Sequence, residues 1–151
     1  MTTDNKAMLD RVITEVFNED FVTMRVSSDE AHGSHSVQVS SSYHEGRTVI
    51  IRAGYVWMDA FIPELNVQTS ILVDDGEEDD DDEDAIEAYK EGELKRICRV
   101  MHAYLEGGGR ISERRSLLGR GVVRKLVIES DGFEWRLGRN HWSRAEAGMT
   151  R

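Results

Sequence analysis

A single long helical pattern, set between two runs of strand-like alternation, is what most restricts the folds open to this chain. Ile86, Lys90, Leu94, Ile97, Met101, Tyr104 and Leu105 trace one stripe at helical spacing, with Cys98 at its edge. The helix is expected over about 83–106. Carboxylates at its start and Lys95, Arg96 and Arg99 in its second half suit the helix dipole. Gly92 inside it costs about 1 kcal/mol relative to alanine, so packing is expected to hold that turn. Gly107, Gly108 and Gly109 stop it, at least one of them in the left-handed conformation.

Before this helix, Met8, Leu9, Val12, Ile13, Val16 and Phe17 form one face of a first helix, with Thr3 or Asp4 placed to cap it. The period then changes. Val22, Met24 and Val26 alternate with polar residues, a loop follows around Gly33, and Val37 and Val39 mark a second strand. The turn at His44-Glu45-Gly46 leads into a third strand over Arg47–Ala53. Tyr55–Met58 reads as a short strand, and Asp59–Leu65 as less regular, open to a helical turn. Val67, Thr69, Ile71 and Val73 alternate cleanly. Beyond the long helix, a strand is expected around Ile111–Leu118. A hairpin follows over Val122–Glu129 and Phe133–Arg139, turning at Asp131-Gly132. Residues 143–151 carry no sustained pattern and are expected to fray.

Runs of strands parted by one helix favour α+β over α/β. The expected architecture is a single α+β domain over 1–151. It has a mainly antiparallel, curved β-sheet, with the N-terminal helix and the long helix packed on it.

Charge is the other constraint. The chain has 29 Asp and Glu against 19 Lys and Arg, a net charge of −10. Ten of the eleven residues from Asp74 to Asp84 are acidic: Asp74, Asp75, Glu77, Glu78, Asp79, Asp80, Asp81, Asp82, Glu83 and Asp84. That run alone equals the whole imbalance, and the rest of the chain is neutral. Blocks of like charge are commonly solvated, flexible loops, and 74–84 is expected to be one. It is not a calcium loop. An EF-hand needs acidic residues at alternate positions before its glycine, and counting back from Gly76 places Ile71 and Val73 there.

No apolar stretch approaches the ~20 residues that span a bilayer, so no membrane partner is expected. The N-terminus has neither a basic nor an apolar region, so no signal peptide is expected. Cys98 is the single cysteine, which excludes an internal disulfide framework. The expected location is the cytoplasm.

Chemistry-bearing residues are scattered. His32 and His35, with Glu30 nearby, make at most half a metal site, because zinc needs three or four ligands. Cys98 and His102 share one helical face and could pair as thiolate and base, but both border the apolar stripe, where a free cysteine is commonly core. The serines near Tyr43 lack the glycine-flanked turn of a nucleophile elbow. No metal or cofactor is expected. In the C-terminal third, Arg110, Arg114, Arg115, Arg120, Arg124, Lys125, Arg136 and Arg139 are interleaved with Phe133, Trp135 and Trp142, a pattern that can bind nucleic acid. The alternation there also describes an ordinary sheet, with Phe133, Trp135 and Leu137 on one face.

Three functional readings follow. The first is a non-enzymatic acidic interaction protein that binds, and neutralises, a basic protein partner through the carboxylates of Asp74–Asp84. Immunity proteins, inhibitors and DNA mimics work in this way. The second is a nucleic-acid-binding or regulatory module using the Arg-rich C-terminal hairpin. The third is a small enzyme whose site is assembled from distant residues such as His32, His44, Glu45, Cys98 and His102.

Overall fold

A computed structural model describes residues 5–18, 22–29, 34–54, 57–72, 83–115, 121–139 and 141–146. Two helices and nine strands follow in the order α1 (Asn5–Val16), β1 (Val22–Asp29), β2 (Ser34–Ser41), β3 (Thr48–Ala53), β4 (Trp57–Ile62), β5 (Val67–Leu72), α2 (Glu83–Leu105), β6 (Arg110–Arg115), β7 (Val122–Ser130), β8 (Phe133–Leu137) and β9 (Trp142–Glu146). The α+β class is as expected, but the strands form two antiparallel sheets rather than one. The first sheet is the meander β1-β2-β3-β4-β5 and the second is β6-β7-β8-β9. Among the described residues one bridge, Gln68 to Gly138, links them. Each meander satisfies its backbone through local hairpins, so α2 separates two self-contained ladders.

The core lies between the helices and the inner faces of both sheets. Met8, Leu9, Val12, Ile13 and Phe17 bury the apolar face of α1. Strict alternation in the first sheet turns Val37, Val39, Val49, Ile51, Met58, Ala60 and Ile62 inward. The two helices pack on each other, and α2 lies against both sheets. Leu94, Ile97, Cys98, Met101, Tyr104 and Leu105 form its buried side, and Leu126, Ile128, Trp135 and Leu137 of the second sheet belong to the same core. Packing holds the Gly92 turn through its neighbours: Leu94 is buried, and Glu91 and Glu93 both sit in ion pairs. Charges also tie α1 to α2, through Arg11 to Glu91 and Lys95 to Glu15.

Three local expectations change. β4 runs Trp57–Ile62, so Asp59–Ile62 is strand, not a helical turn; the turn falls at 63–66. Asp59 is tolerated in that strand because Arg52, directly across on β3, clasps both its carboxylate oxygens at 2.9 and 2.7 Å. The sixth strand is Arg110–Arg115, and residues 116–120 lie outside the described part. Of the tail expected to fray, 143–146 complete β9 against β8, and residues 147–151 lie outside the described part.

The Asp131-Gly132 turn is as expected. Both residues have positive φ, 55° and 78°, the type I′ geometry that matches strand twist. At the end of α2, Gly107 and Gly109 have φ of 102° and 93°. A Cβ on Gly109 would come within 2.7 Å of Leu126 Cδ1, so the chain can enter β6 close to the core only with glycine there.

Candidate interaction surfaces

The acidic run enters α2 directly. Glu83 and Asp84 are the first two residues of the helix, at the end where its dipole favours carboxylates. Asp74, Asp75, Glu77, Glu78, Asp79, Asp80, Asp81 and Asp82 lie outside the described residues, as do the capping candidates Thr3 and Asp4.

Many of the described carboxylates elsewhere in the fold are engaged internally. Asp10 meets buried His35 at 2.8 Å, Glu15 meets Lys95 at 3.1 Å, and Asp131 accepts from Arg99 at 2.8 Å. Glu93 takes Arg96 on one oxygen at 2.7 Å and Arg144 on the other at 3.0 Å. Glu113 pairs with Arg124, Glu134 with Arg136, and Glu106 with His102. The exposed pairs among these contribute little stability each. Their consequence here is electrostatic: they neutralise the folded body and leave the surplus negative charge in one segment.

A further engaged carboxylate is Glu64, which local sequence patterns do not single out. The Tyr104 hydroxyl donates to Glu64 Oε2 at 2.6 Å, and the backbone N–H of Thr48 donates to the same oxygen at 2.8 Å. Arg47 donates to the carbonyls of Tyr104 and Gly108 at 2.7 and 3.1 Å, with its guanidinium 4.5 Å from the Tyr104 ring centre. This node satisfies the Tyr104 carbonyl near the C-terminus of α2 and fastens the helix to the first sheet.

The residues considered for catalysis are dispersed. His32 lies outside the described part. His35 is buried on β2 beside Asp10, and His44 and Glu45 sit in the exposed turn after β2. Cys98 is fully buried, and burial pushes its thiol well above the ordinary value of 9.0. A nucleophilic cysteine needs the opposite shift. His102 Nδ1 lies 3.1 Å from Glu106, and its ring packs on Phe17. Among the described residues no group of three His, Cys, Asp or Glu is placed to hold a metal ion, and no helix is long and apolar enough to cross a membrane.

The retained thiol proton has a measurable effect. In the unfolded chain Cys98 ionises near pH 9, while the folded protein keeps it protonated. Unfolding therefore releases a proton above that pH, and stability falls as pH rises, by about 1.4 kcal/mol per pH unit for this one group. Below pH 9 the term vanishes. The Tyr104 phenol, pushed up first by burial and then by Glu64, adds a second loss of the same sign above pH 10.0. Urea titrations at successive pH values are expected to show the fall beginning near 9 in the native protein and near 10 in Cys98→Ala.

Register sorts the basic side chains of the second sheet onto two faces. Phe133, Trp135 and Trp142 turn inward, where the two tryptophans stack with centroids 5.6 Å apart. Arg144 lies among them, 4.9 Å from the Phe133 ring centre and 5.0 Å from that of Trp135. Arg124 also faces inward, toward Glu113. On the outer face stand Arg110 and Arg114 of β6, Lys125 of β7 and Arg136 of β8, all exposed. Among the described residues no carboxylate forms an ion pair with Arg110, Arg114 or Lys125. A groove of ≈ 350 Å³ opens at one end of this face, lined in part by Arg110, Val127, Glu129 and Glu134.

The fold and these surfaces define an α+β protein, with two helices and nine strands among the described residues, and with segregated charge. No protein-family model matches the chain, and neither a characterised protein nor a solved structure matches it.

Proposed function

We propose that this is a non-enzymatic interaction protein that binds, and by covering it neutralises, a basic protein partner through the carboxylates of Asp74–Asp84. One observation carries the reading. Outside that run 19 carboxylates balance 19 Lys and Arg, and the described carboxylates from Asp10 to Glu134 are largely taken up within the fold, so the net charge of −10 resides in one short segment. Concentrated charge of this kind steers an oppositely charged partner and can raise association rates ~10- to 1000-fold. The dispersal of the histidines and the burial of Cys98 fit a role in binding better than one in catalysis.

The test is affinity capture from host lysate with the native protein and with a variant in which Asp79–Asp84 are replaced by Ser and Asn. The native chain is expected to retain a basic protein that elutes as salt rises, and the variant to lose it. Identical captured sets from the two chains would remove the proposal.

A further inference from the structure

We propose that the outer face of the second sheet docks the acidic segment of a second copy of this chain, so that the protein associates head-to-tail with itself at low ionic strength. The inference rests on the acidic run being an interaction element. It adds a surface that competes with the basic partner for that run.

The sheet register builds the face. Arg110 and Arg136 fall in one row across β6, β7 and β8, with Val127 between them, while Lys125 stands opposite Ser112 and Arg114 opposite Val123. Strands in a sheet lie about 4.8 Å apart and rise about 3.4 Å per residue. Arg110 and Arg136 are thus about 10 Å apart and Arg110 and Arg114 about 13 Å apart, with Lys125 on the strand between. Arg136 is shared with Glu134, but Arg110, Arg114 and Lys125 are in none of the ion pairs among the described residues. Four cations on an open sheet, three of them in no ion pair, outnumber Glu129 and Glu134 on the same face and complement ten carboxylates in eleven residues.

One observation sets nucleic acid aside as the occupant. Every ring of the second sheet faces inward, so the basic face offers nothing on which nucleic-acid bases could stack. A contact of the run with the face of its own chain would leave the protein monomeric, whereas a contact between two copies joins two different patches and is heterologous, able to form rings or longer chains.

The experiment is sedimentation velocity on the purified protein alone, at about 20 mM and about 500 mM salt, where screening differs several-fold. At low salt the weight-average mass is expected to climb with concentration to at least twice that of the monomer, and at high salt to return to it. Two variants then separate docking from folding. The face variant carries Arg110→Gln, Arg114→Gln and Lys125→Gln; the run variant carries Ser and Asn at Asp79–Asp84. Each alone is expected to stay monomeric, and an equal mixture to regain association, because one supplies the run and the other the face. A monomer at low salt, association that survives in either single variant, or a mixture that stays monomeric would each overturn the proposal. So would binding of a duplex oligonucleotide by the native face while the protein remains monomeric. Since no basic partner is present, failure here is distinct from failure of the lysate capture.

Discussion

Trp135→Ala is expected to lower the stability of the fold by about 3–5 kcal/mol, the range for removing a large aromatic from a packed core. Trp135 is fully buried and joins three elements. Its ring stacks on Trp142 of β9, its indole N–H donates to the Ser130 carbonyl at 3.3 Å, and Arg144 lies over its face. Alanine would empty that volume and unseat Arg144, which also reaches Glu93 on α2. The loss should therefore extend from the second sheet to its contact with the helix. Urea titration followed by far-UV circular dichroism would show a lower midpoint with an unchanged slope. A change below about 1 kcal/mol would mean that β9 does not close over Trp135 as described.

Glu64→Ala is expected to cost about 2–4 kcal/mol, because it removes the acceptor shared by the Tyr104 hydroxyl and the Thr48 N–H. Buried donors left without partners cost about 1–3 kcal/mol each. Tyr104 is buried to 1 % exposure, so water cannot readily replace the carboxylate. Glu64→Gln keeps an acceptor oxygen and should recover much of the loss. Tyr104→Phe removes only one of the two donors and should fall between. This order (Ala worst, Phe intermediate, Gln mildest) distinguishes a hydrogen-bond node from simple packing, and equal losses for Ala and Gln would contradict it.

The sequence was most legible where contacts are local. Asp131-Gly132 announces a type I′ turn because only small or polar residues sit easily at positive φ, and the hairpin around it follows. The stripe of α2 was visible for the same reason: spacing alone sets which side is buried. β4 and β9 were obscured because their support is distant or unusual. Asp59 interrupts an apolar strand and is accommodated by Arg52 across the ladder. β9 shows no pattern of its own, and Arg144 finds its place through Glu93, 51 residues earlier. The Glu64–Tyr104 link spans 40 residues and has no local signature. The expectation of one sheet failed similarly, since nothing in β5 or β6 alone says that they do not pair. The outer basic face was half visible. Alternation placed Arg136 opposite the rings, but the joining of Arg110, Arg114 and Lys125 to it depends on the register of β6, β7 and β8.

Charge segregation was legible in full, because it is a property of composition along the chain. It underlies the proposed role, and its direct test is kinetic. Association of the native protein with its captured basic partner would be followed by biolayer interferometry from about 50 to about 500 mM salt, beside the chain with Ser and Asn at Asp79–Asp84. The association rate of the native protein is expected to fall steeply with salt, and that of the variant to be slower and nearly salt-independent. Equal rates and equal salt dependence in the two chains would contradict it.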